Sequence, residues 1–117
     1  MNRIILMLLL ATSLPALAQN KVSDHATAIR TNAVCDMCKK KIETELVYEK
    51  GVKAVELDLR HNLILVDFDA KKTDLARIER AIAALGYAAN DTPPDTVARK
   101  NLPECCRKEG CGLPSKQ

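Results

Sequence analysis

Between His25 and Asn90 the apolar positions switch repeatedly between the two-residue spacing of a strand and the three-to-four-residue spacing of a helix. Thr27, Ile29 and Thr31 give His25 to Ala33 modest strand character. Val34-Cys35-Asp36-Met37-Cys38 then forms a loop running into a helix. Cys38, Ile42 and Leu46 recur at every fourth position of that helix and define one face, with Lys39, Lys40, Lys41, Glu43 and Glu45 mainly on the other. Gly51 serves as its stop or as a turn. Val52 to Leu59 alternates, with Val55, Leu57 and Leu59 inward. Arg60-His61-Asn62 connects it to Leu63–Asp69, whose inner face is Ile64, Val66 and Phe68. Thr73 is placed to cap a second helix, with Asp74 adding favourable charge in its first turn. Leu75, Ile78, Ile82 and Leu85 are the apolar stripe of that helix, and Gly86 its left-handed terminator. Tyr87 to Asn90 reads as a final edge strand. The order is βαββαβ, an α+β ferredoxin-like sandwich with two helices on one face of a four-stranded antiparallel sheet.

The segments outside this domain have a different character. Arg3 precedes an unbroken apolar run, Ile4 to Ala11, and Ala16-Leu17-Ala18 supplies a small-x-small cleavage pattern. Residues 1–18 therefore read as a signal peptide cut before Gln19. The run is far shorter than the roughly 20 residues a membrane anchor needs. The expectation is a periplasmic or secreted protein, with residues 19–24 as a linker and no stable membrane insertion once the leader is removed. From Asp91 onward, Pro93-Pro94 breaks the pattern. Residues 91–117 read as a flexible, Cys-rich tail in which Asp95 to Lys100 has room for one or two helical turns.

Composition narrows the functional classes. Without Arg3, the only charge of the leader, the chain has 17 Lys+Arg against 15 Asp+Glu. That surplus is too small for a nucleic-acid partner. Tyr48, Phe68 and Tyr87 are the only aromatic residues and there is no Trp, so an aromatic-walled sugar or nucleotide pocket is unsupported. No Ser/His/Asp grouping, phosphate-cradling glycine loop or zinc-protease motif occurs, and no catalytic residue is assigned. His25 and His61 have no ligand spacing to the cysteines. The lysine run is a solvated helix face first and a docking patch for an acidic partner second.

Five cysteines carry the chemistry. Cys35 and Cys38 lie where a loop becomes a helix, so two sulfurs can converge while the helix N-terminus favours their thiolates. Two convergent thiolates with no His beside them make a soft site, suited to Cu(I) and other thiophilic ions. The same spacing serves a dithiol redox centre or a structural disulfide, although so small a loop gains little from a disulfide. Met37, between the two cysteines, is a candidate soft third ligand.

Val34 to Cys38, the helix through Ile42 and Leu46, Gly51-Val52, the Ile64-Val66-Phe68 strand and Leu85-Gly86-Tyr87 together resemble a heavy-metal-associated domain. The resemblance covers about residues 25–90. That family includes copper chaperones, the periplasmic mercuric-ion-binding protein and the N-terminal domains of copper-transporting P-type ATPases. It implies that Cys35 and Cys38 hold one soft ion near the surface and pass it on by thiolate exchange, and that Tyr87 faces the site. Where the family has Gly-Met-Thr-Cys, this chain has Asn32-Ala33-Val34-Cys35, with Ala33 in place of an inward methionine.

The tail adds Cys105, Cys106 and Cys111. One reading folds it back as a lid that contributes one or two thiolates and favours Zn(II) or Cd(II). The other is a Cys106–Cys111 or Cys105–Cys111 disulfide, or a separate scavenging site. The sequence thus points to a non-enzymatic metal carrier or scavenger, with Cu(I) first, then Hg(II), Zn(II) or Cd(II). Its expected partner is a metal donor or acceptor such as a membrane transporter, met as a monomer or a metal-bridged dimer. An exported dithiol redox protein is the alternative.

Overall fold

The computed structural model describes residues 22–23 and 25–107. The leader, residues 19–21 and 24 of the linker, and Cys111 lie outside the described residues. The elements are β1 (Thr27–Arg30), α1 (Asp36–Leu46), β2 (Val52–Asp58), β3 (Leu63–Phe68), α2 (Leu75–Ala84), α3 (Thr96–Lys100) and α4 (Glu104–Arg107). Among the described residues no helix is long and apolar enough to cross a membrane.

The sheet is antiparallel, in the order β1-β3-β2. Leu57 pairs with Ile64 and Val55 with Val66, while Ile29 faces Ile64 from the other side. Leu57, Ile64, Val66 and Ile29 are buried, and Val55 and Leu59 pack half-buried against them. The helices close this face with Cys38, Ile42 and Leu46 from α1 and Ile78 and Ile82 from α2. Full burial of such a side chain contributes about 1.5–3 kcal/mol, which is why the three-to-four-residue stripes determine which helix face turns inward.

Two expectations about the domain are corrected. The described residues hold three strands, not four. The segment after α2 follows β1 only through scattered contacts: the Asn90 N–H donates to the Arg30 carbonyl at 2.8 Å, while the Asn90 and Asn32 side-chain oxygens accept from the Arg30 and Ala88 N–H groups. Asn90 has φ +51°, which turns the chain into a tight bridge between Ala89 and Thr92 before a ladder can extend. Second, the cap of α2 is Asp74, whose carboxylate accepts from the Arg77 N–H at 2.8 Å. Thr73 is instead buried, with its N–H on the Asp69 carbonyl and its methyl over Gly51. Of the two roles open to Gly51, helix stop or turn, the structure has the turn: α1 ends at Leu46 with Val47 as its C-cap, and Gly51 follows at φ +83°.

Gly86 behaves as expected, at φ +101°. Its N–H bonds the Ala83 carbonyl and that of Tyr87 bonds Ile82, the paired closure of a Schellman motif.

The tail through Arg107 is not loose. The Asp95 N–H donates to the Ala83 carbonyl at 2.9 Å, and the Asp95 carboxylate caps α3 through the Ala98 N–H. Leu102 is buried in the core, over the space a side chain at Gly86 would occupy. The Arg99 guanidinium donates to the Arg107 carbonyl and ties α3 to α4. Apolar content too small for a separate core suffices here because Leu102 and Cys106 join an existing one.

Candidate metal centre

Cys35 is the N-cap of α1, with extended backbone (φ −133°, ψ 163°) and no side-chain capping bond. Its carbonyl accepts the first helical bond, from Lys39. Its sulfur is thus free to face the same end of the helix as Cys38, one turn along. Cys35 is half-buried and Cys38 fully buried, with their Sγ atoms 2.8 Å apart. The unpaired N–H groups of the first turn lend partial positive charge to this end, opposed by the Asp36 carboxylate.

Helix α4 brings two further sulfurs to the pair. Cys106 Sγ lies 3.6 Å from Cys35 Sγ, Cys105 Sγ lies 4.0 Å from it, and the two tail sulfurs are 3.9 Å apart. Cys106 is buried and Cys105 half-buried. All four are free thiols. The thioether of Met37, a largely exposed residue, is 3.5 Å from Cys105 Sγ.

Tyr87 forms the floor. It is fully buried and its hydroxyl has no hydrogen-bond partner among the described residues. Burial pushes its pKa far up, and the neighbouring Cys38 and Cys106 thiols add to the shift. Burial likewise pushes the Cys106 thiol up, reinforced by Cys38 and Cys35, while the Tyr87 hydroxyl works in the opposite direction. Ala33, in place of the family's methionine, is fully buried beneath the loop. The histidines stand apart: His61 Nδ1 is 2.7 Å from the Asp58 carboxylate in the β2–β3 turn.

The heavy-metal-associated domain (HMA) family model matches residues 31–88, the span from the Cys35 loop to the Tyr87 floor. The copper chaperone CopZ of Staphylococcus haemolyticus is 34% identical over 53 residues, covering 45% of this chain and 78% of that one. The chain belongs to the heavy-metal-associated domain family. A probable copper-exporting P-type ATPase of Archaeoglobus fulgidus is 38% identical over 61 residues, 52% of this chain but only 8% of that protein's length. Among solved structures, the apo form of the copper chaperone of Enterococcus hirae superposes with a TM-score of 0.52 at 30% identity, covering 56% of this chain and 97% of the other.

The HMA match ends at residue 88, so α3, α4 and the thiols of Cys105 and Cys106 lie beyond it. The structure brings together Cys35, Cys38, Cys105, Cys106, Met37 and Tyr87. Sequence reasoning missed the latch that brings the tail to the site, Leu102 over Gly86. Its one local signal is Asp95 three residues before Ala98, an N-cap spacing that marks α3 but not where it docks.

Proposed function

We propose that this protein is an exported carrier of one soft metal ion, held by Cys35 and Cys38 and handed on by thiolate exchange. The reading is carried by two sulfurs in contact at a helix N-terminus in an HMA domain, one half-buried and one buried. Cu(I) is its first cargo, supported by relatives named as copper chaperones and as a copper-exporting ATPase. Hg(II), Cd(II) and Zn(II) follow by the softness of thiolate donors.

Exposure sets the order of exchange. An incoming thiolate from a partner reaches Cys35 first, and Cys38 releases second. The partner is a metal-donor or metal-acceptor protein, such as a membrane transporter. Each ligand sheds a proton on binding, so affinity falls as pH drops. The apolar run and Ala16-Leu17-Ala18 support delivery to the periplasm or outside.

The test is anaerobic titration of the reduced protein with Cu(I) against a chromophoric chelator. One ion bound per chain in the wild type, and loss of competitive binding in Cys35→Ser/Cys38→Ser, is the expected result. A wild type unable to compete with the chelator, or a double variant that binds as well as the wild type, overturns the reading.

A further inference from the structure

We infer that α4 supplies Cys105 and Cys106 as metal ligands, so that the closed form of the protein holds its ion in a three-thiolate set of Cys35, Cys105 and Cys106. This rests on the soft-ion reading above, with the Cys35–Cys38 pair as the site of the open, transferring form, and deepens it by naming the coordination of the closed form and what controls release.

The sulfur spacings carry the assignment. A metal–sulfur distance of about 2.3 Å puts sulfurs about 4.0 Å apart in a planar trigonal set, about 3.8 Å in a tetrahedral set and about 4.6 Å across a linear pair. The three edges of the Cys35, Cys105 and Cys106 triangle are 4.0, 3.6 and 3.9 Å. Those sulfurs already stand near trigonal spacing. Cys35 and Cys38, at 2.8 Å, must instead separate before both can bind one ion.

Two separate features support the assignment: the tail is held at the site, and an unpartnered donor lies beneath its sulfurs. Leu102 is buried over Gly86, where a Cβ would come within 3.0 Å of both Leu102 Cδ1 and the Arg99 nitrogen. Beneath the sulfurs, the buried Tyr87 hydroxyl has no partner. A lone buried donor is costly, and an anionic sulfur formed beside it is an acceptor that removes the cost. Tyr87 is therefore a positioning residue for the thiolate of Cys106. Each joining thiol loses its proton to solvent.

Three sulfurs suit an ion that accepts trigonal thiolate coordination, and they change the hand-off. A partner's thiolate meets a closed site in which Cys35 serves both halves. Release then proceeds by lifting α4, which restores the Cys35–Cys38 pair to the partner. Cys38 is the ligand that takes over as the tail departs.

The experiment uses the full chain, reduced and loaded anaerobically with one equivalent of Cu(I). X-ray absorption counts the sulfurs on copper, and alkylation with peptide mapping reads the exposure of each thiol. Three sulfurs in the wild type are expected, falling to two in Cys105→Ser/Cys106→Ala with one ion still bound. Loading should also protect Cys105, half-exposed in the empty protein, from alkylation in the wild type, a readout that needs no variant to fold. Two sulfurs in the wild type, or equal alkylation of Cys105 in empty and loaded protein, overturns the tail assignment while leaving the Cys35–Cys38 reading intact. Failure of the wild type to bind Cu(I) overturns both.

Discussion

Tyr87, fully buried and bearing a hydroxyl with no partner, is the residue whose chemistry departs furthest from its packing role. Replacing it with Phe keeps the ring and removes only the costly donor. We expect Tyr87→Phe to shift chemical-denaturation stability of the empty protein by no more than about 1 kcal/mol, because loss of an unpaired hydroxyl forfeits no hydrogen bond. Its Cu(I) affinity should fall. Ile82→Ala, by contrast, removes methylenes from a fully buried site and should cost about 2–5 kcal/mol in the same assay. At Asp58 the hydrogen bond from His61 holds the carboxyl below its ordinary value of 3.8. A depressed folded pKa stabilises above the unfolded value and is lost as pH falls through the folded one. His61→Ala should therefore raise the Asp58 pKa toward its ordinary value, read by carboxyl carbon NMR, and remove that acid-side contribution.

At the scale of elements, caps and turns were legible where one side chain and its own backbone decide the outcome. Gly86 closes α2 as its sequence position implied, because only a residue without Cβ adopts φ +101° cheaply. The cap of α2 fell one residue further on, at Asp74, because the Thr73 methyl is drawn into contact with the turn at Gly51. That choice is tertiary and leaves no local trace. Asp74→Ala should cost about 1 kcal/mol in thermal or denaturant unfolding, as loss of an N-cap does. The final strand failed to form for a similarly non-local reason. Asn90 enters the left-handed region and spends its carboxamide on Arg30 and Glu79.

For the whole molecule, the decisive question is whether the tail stays on the domain. Gly86→Ala would place a methyl against both the Arg99 backbone and Leu102 while forcing an unfavourable φ. Leu102→Ala leaves the backbone of α2 unstrained and is the cleaner probe. It should loosen α3 and α4 together, raising hydrogen exchange and proteolysis across Asp95–Arg107 while β1 to α2 stays protected. With the tail released, transfer of Cu(I) to an external thiol should be faster than in the wild type. Unchanged exchange in this segment would show that the Asp95–Ala83 and Arg99–Arg107 bonds hold the tail without Leu102.

The sequence by itself determined the βαββ core followed by a second helix, the inward face of α1, that of α2 at Ile78 and Ile82 though not at the exposed Leu75, and the convergence of Cys35 with Cys38. Each depends on periodicity or on residues a turn apart, and the energy of burying an apolar stripe makes that pattern decisive. Only the tertiary structure decided that the tail returns. Cys35 and Cys105 are 70 positions apart, and nothing near either residue encodes the other. What joins them is a surface notch left by a missing side chain at Gly86 and filled by Leu102. A shape of that kind exists only once α2 has packed, so the four thiols form one cluster as a consequence of the fold.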